Sequence, residues 1–122
     1  MKSFIYAAGL SLCLVGLAQA DQKTPDFVST QAFLETCSAK ASQAERAFCF
    51  GYAQGVYETY VVSRHSKRNP HFICIEDKTL SRTQVLSNFT KWVDANPQLK
   101  EKTASDALLR YLRATYPCKT KR

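Results

Sequence analysis

Polar and apolar residues alternate along this chain with the period of α-helices, and the breaks fall at residues that start or stop helices. Val28-Ser29 followed by Phe33 and Leu34 reads as a hydroxyl cap with a hydrophobic staple, opening a short helix that ends near Cys37. Ser42 with Glu45 forms a capping-box pattern. After it Phe48, Tyr52, Val56 and Tyr60 recur every four residues, which predicts one long helix over about Gln43 to Arg64. Ser81 with Gln84 repeats the pattern; Val85, Phe89, Trp92 and Val93 share one face until Asn96-Pro97 stops the helix. Thr103 with Asp106 opens a last helix through Ala104, Leu108, Tyr111, Leu112 and Thr115 up to Pro117. No segment alternates convincingly with period two. The expectation is an all-α fold, a small antiparallel bundle of four main helices.

Two details of the pattern carry packing expectations. Ala47, Gly51 and Gly55 form a stripe of small residues on the long helix, and each interior Gly costs up to about 1 kcal/mol against Ala. A neighbouring helix at close range would offset that cost, more readily one of the same chain than one of a second protomer. Phe89 and Trp92, on one face with Val85, should be buried against Tyr52 and Leu112.

The first 20 residues stand apart. Lys2 is a positive start, Phe4 to Leu17 is an almost unbroken apolar run, and Ala18-Gln19-Ala20 is a small-x-small cleavage site, so residues 1–20 read as a secretory signal peptide and 21–122 as the mature domain. The apolar run is too short to span a bilayer, and bulky Leu12 before Cys13 argues against lipidation. Processing would leave Cys37, Cys49, Cys74 and Cys118. In an exported protein four thiols read as two disulfides, for which the count allows three connectivities. Positions in the helices then favour Cys37 with Cys49, pinning the first hairpin, and Cys74 with Cys118, tying the middle loop to the C-terminus.

Of 122 residues, 17 are Lys or Arg and 10 are Asp or Glu, a formal charge of +7. The composition, 45% apolar with only 4 Gly and 4 Pro, suits one small folded domain and excludes a disordered chain. The basic residues crowd at Arg64-His65-Ser66-Lys67-Arg68 and at the C-terminus. Such charge suits a helix C-terminus, or else an acidic partner or anionic envelope surface. Nucleic acid is a poor fit, because no aromatic residues interleave the basic run. His71 and Cys74 have a spacing that could hold a metal or pair a nucleophile with a base. Only one such pair exists, and export makes Cys74 a disulfide partner, so no metal and no cofactor is expected. Glu45, Glu58, Glu76 and Asp77 are scattered without a partner carboxylate, and no phosphate loop, serine elbow or dinucleotide fingerprint occurs. The chain does not read as an enzyme. Asn88-Phe89-Thr90 has the glycosylation pattern but lies inside a predicted helix.

The segment Cys49-Phe50-Gly51-Tyr52-Ala53-Gln54-Gly55-Val56, with Cys37 before it, Cys74 after it, the helix to Asn96-Pro97, and the ending Tyr116-Pro117-Cys118, resembles the Rap/Tai family of immunity proteins against type VI secretion amidase effectors. The resemblance runs from about Ser29 to Cys118. It implies a small periplasmic all-helical protein, often a homodimer, that binds a peptidoglycan-cleaving amidase and occludes its groove. The contacts implied are in the polar segment Asp94 to Lys102, stiffened by Pro97 and with few apolar residues to hold it inward: Asp94, Asn96, Pro97, Gln98, Lys100 and Glu101. A reading from another class is a small helical acid-stress chaperone of the periplasm, for which two His and ten acids offer little switching capacity. A third is an envelope protein that carries the same fold without an effector to bind.

Overall fold

A computed structural model describes residues 27–64, 67–76 and 79–119, so the expected signal peptide lies outside the described residues. Among these residues there are four α-helices, α1 (Thr30–Thr36), α2 (Gln43–Val62), α3 (Arg82–Asp94) and α4 (Ala104–Thr115), with a 3-10 turn at Pro97–Leu99 before α4. Among the described residues, β pairing takes the form of isolated bridges, such as Ser29 to Thr103 and Ile73 to Pro117. The all-α class stands as expected.

A hydroxyl opens each helix. Ser29 accepts from the Ala32 N–H, Ser42 from Glu45, Ser81 from Gln84 and Thr103 from Asp106, each satisfying an amide that has no partner within its own helix. At α2 the box is reciprocal, because the Ser42 N–H also donates to the Glu45 carboxylate at 2.6 Å. That bond holds the Glu45 carboxyl below its usual range. At α4 the Asp106 carboxylate turns instead to Arg110, 2.9 Å away.

The core centres on α4. Ala104, Ala107, Leu108, Tyr111 and Leu112 are all buried, and α1, α2 and α3 each pack on this helix. An aromatic cluster fills the space between them: Phe33 of α1 lies 5.2 Å from Tyr52 and 6.2 Å from Phe89, and Phe89 lies edge-on to Tyr111 at 5.6 Å. Two disulfides, Cys37–Cys49 and Cys74–Cys118, close the pairs expected from the helix positions, with Cα separations of 5.8 and 4.8 Å. Tyr60 fixes the middle loop, since its hydroxyl accepts from the Phe72 and Ile73 amides.

Three expectations need correction. The stripe Ala47, Gly51, Gly55 faces outward, and a Cβ built on either glycine meets nothing within 4 Å, so no described helix packs closely on it and an open groove lies between the glycines and Ser105 and Leu109 of α4. α2 instead turns Cys49, Tyr52, Ala53, Val56 and Tyr60 to the core. Trp92 is half-buried, its ring 5.8 Å from Tyr111, while Phe89 takes the fully buried position between Phe33 and Tyr111. Polar Asn96 and Asp94 bracket the end of that face, so it lies at the rim of the core. The segment Asp94 to Lys102 is also held inward more firmly than expected, through buried Leu99.

Candidate functional site

The segment after α3 is a short, stiff projection. Asn96-Pro97 ends the helix, Pro97 begins the 3-10 turn, and Leu99 points into the core at 7% exposure. The return path is fastened to α1. Thr30, wholly buried, donates both its N–H and its hydroxyl to the Lys102 carbonyl, at 2.8 and 2.9 Å. The Gln31 N–H reaches the Lys100 carbonyl at 3.1 Å, and the Ala104 N–H reaches the Val28 carbonyl at 2.8 Å. These bonds draw residues 28–31 and 100–104 together across 72 positions of sequence between Thr30 and Lys102.

The six expected contact residues divide by what holds them. Pro97, Gln98 and Glu101 are exposed, and none makes a side-chain hydrogen bond or ion pair among the described residues. Asp94 is exposed at the end of α3, with its carboxylate 3.5 Å from the Lys100 ammonium. Asn96 is half-buried and donates to the Trp92 carbonyl at 2.8 Å, so it braces the turn. Lys100 is likewise half-buried, engaged through its ammonium by Asp94 and through its carbonyl by Gln31. The outward chemistry of the loop therefore comes from Gln98, Glu101 and the Asp94–Lys100 pair. Beside them lie Gln31 and Glu35 on the exposed side of α1, joined by a 2.6 Å bond between their side chains. Their proximity to the loop was not legible in the sequence, because nothing local to either segment announces the Thr30 to Lys102 bond.

The residues considered for chemistry are placed otherwise. Cys74 is bonded to Cys118, which removes its thiolate from any pairing with His71. His71 is exposed and packs edge-on to the Tyr60 ring at 5.8 Å. Glu45 caps a helix, Glu58 accepts from Gln54, and Glu76 pairs with Lys119. Among the described residues no three His, Cys, Asp or Glu side chains gather as metal ligands. Within the sequon, Phe89 is buried and the Thr90 hydroxyl bonds back to the Leu86 carbonyl.

The loop is thus carried by a small helical scaffold with two disulfides and braced through Thr30 and Gln31. The model of the Rap1a immunity proteins matches residues 29–118, and the chain belongs to that family. It is accordingly an effector-immunity protein and not an enzyme. No curated protein and no solved structure matches the chain. The matched region runs from the cap of α1 to the last disulfide cysteine, so it takes in every helix and both bridges.

Proposed function

We propose that this protein is a periplasmic immunity protein that binds a peptidoglycan amidase delivered by type VI secretion and blocks it by occupying its substrate groove. The observation that carries the reading is the loop from Asp94 to Lys102, tied to α1 by the Thr30, Gln31 and Ala104 bonds while Gln98 and Glu101 face solvent. A rigid projection loses little conformational entropy on entering a groove, so its polar contacts are not spent on ordering it. Export to the periplasm accords with the two disulfides, which persist in oxidising compartments. No described helix is long and apolar enough to cross a membrane. A homodimer has its candidate surface on α2, where Gly51 and Gly55 open a groove beside Tyr52 and Val56, and Phe48 stands 44% exposed.

The test is protection of a cell that exports a candidate amidase to its periplasm. Wild-type protein should prevent lysis. Gln98→Lys combined with Glu101→Lys, both exposed, should abolish protection while circular dichroism and melting stay unchanged. Full protection by that variant would remove the loop from the mechanism. Failure of the wild type against each amidase encoded beside it would sink the amidase reading itself.

A further inference from the structure

Four basic residues gather where α2 and α4 end. The half-buried ring of Phe72 has the Arg64 guanidinium over it at 4.4 Å and that of Arg113 at 5.0 Å. Arg64 also lies over Tyr60 and bonds Asn69, which in turn donates to the Ser63 carbonyl and folds the turn after α2. That turn presents Lys67 and Arg68, both exposed. None of these four cations has a carboxylate partner among the described residues, where the ion pairs use Lys100, Arg110 and Lys119. The nearest acid along α2, Glu58, is engaged by Gln54. Two guanidinium groups held at one ring repel each other, and the Nε of Arg64 is buried without an acceptor. Positive charge at this ring is therefore balanced by no carboxylate among the described residues.

The same end is also apolar on its outside. Val61 and Val62 close α2 at 36% and 74% exposure. Exposed valines close in sequence to cations that have no carboxylate partner among the described residues form the two-part signature of a surface that rests on anionic lipid, where the headgroups meet the cations and the apolar side chains enter the acyl boundary. Val61, Val62, Lys67 and Arg68 are each exposed to a partner.

The geometry points to this end of the molecule, Val61 and Val62 with Arg64, Lys67, Arg68 and Arg113, as a docking surface for an anionic phospholipid membrane. The contact is peripheral and reversible, made by charged side chains at the headgroups and two valines at the acyl boundary. The inference does not depend on the effector reading.

Vesicle co-sedimentation tests it, with protein purified after export and its N-terminus read by mass spectrometry, so that the apolar run Phe4 to Leu17 is not there to insert. Vesicles of phosphatidylcholine with about 30% phosphatidylglycerol should bind the protein at about 50 mM salt and release it as salt screens the headgroups. Lys67→Glu combined with Arg68→Glu should weaken binding by at least about tenfold, since each basic residue near such a surface is worth roughly fivefold. Val62→Ser should weaken it several-fold. Both substitutions sit at exposed positions, and unchanged melting would confirm the fold. Equal binding to pure phosphatidylcholine, binding indifferent to the charge reversals, or no binding would each overturn the proposal. Displacements of the Arg64 and Arg113 side-chain resonances by inorganic phosphate, without vesicle binding, would assign the cluster to a soluble anion instead. Loss of protection by the charge-reversed variant, again without vesicle binding, would assign it to an acidic face of the effector.

Discussion

Phe89 and Trp92 stand one turn apart on α3, and replacing each by alanine separates a core position from a rim position. Phe89 is wholly buried between Phe33 and Tyr111, with ring centroids 6.2 and 5.6 Å away. Truncating it removes the transfer free energy of the ring, leaves a cavity walled by α1 and α4, and breaks both edge-on contacts, which puts the cost at about 3 to 5 kcal/mol. A domain of this size has about 5 to 14 kcal/mol in all, so the variant should keep its fold with a much earlier midpoint. Trp92 is half-buried and has one ring partner, Tyr111 at 5.8 Å, so its loss should cost about half as much, roughly 1.5 to 2.5 kcal/mol. Urea unfolding followed by far-ultraviolet circular dichroism, with disulfides intact, measures both; Trp92 is the sole tryptophan and cannot serve as the probe of its own removal. An unchanged slope would show that the midpoints report stability. Equal costs for the two variants, or a Phe89→Ala cost below about 1.5 kcal/mol, would refute the placement of α3 against α4.

Gly51→Ala and Gly55→Ala should each stabilise the monomer by up to about 1 kcal/mol, because an added Cβ meets nothing and the helix gains propensity; a loss in melting temperature would mean that the stripe is packed in solution. Replacing Cys74 and Cys118 by serine should cost about 4 kcal/mol and replacing Cys37 and Cys49 about 3, the difference following the sequence separations of 44 and 12 in the chain-entropy model; calorimetry showing the reverse order would contradict it. Burial, with Tyr116 beside it, pushes the Tyr111 phenol up to about 12. Its contribution is therefore full below the ordinary value of 10 and is lost as pH rises from there to about 12, and Tyr111→Phe should remove that alkaline fall in stability. At neutral pH the same substitution should be close to neutral, since among the described residues the buried hydroxyl has Thr115 and Tyr116 as polar neighbours but no hydrogen bond of full geometry; a cost above about 1 kcal/mol would show a bond there. Glu45, held below the usual carboxylate range by Ser42, contributes stability that is full above that range and fades as pH falls through it, and Glu45→Gln should flatten this acid limb of the stability curve.

Helix starts were legible in the sequence because capping is local: Ser29, Ser42, Ser81 and Thr103 each bond an amide three residues on, and no distant residue has to agree. The disulfide pairing was legible almost as directly. Cys37 ends α1 and Cys49 sits in the second turn of α2, so a short connection between the helices already brings them within reach. Which side of each helix faces inward was decided elsewhere. The sequence offers α2 two parallel stripes, one aromatic and one of small residues, and only the position of α4 selects the aromatic one for the core. Likewise the period of α3 puts Phe89 and Trp92 on one face, but the reach of Phe33 from α1 determines which of them is enclosed. The loop after α3 could be read as polar and stiffened by Pro97. Its rigidity comes from Thr30 and Gln31, residues far away in the chain, because buried backbone groups must find partners wherever the packing of α1 on α4 leaves them. The ring of Phe72 gathers Arg64 and Arg113 for the same kind of reason: charges remote in sequence meet only once the ends of α2 and α4 are brought together.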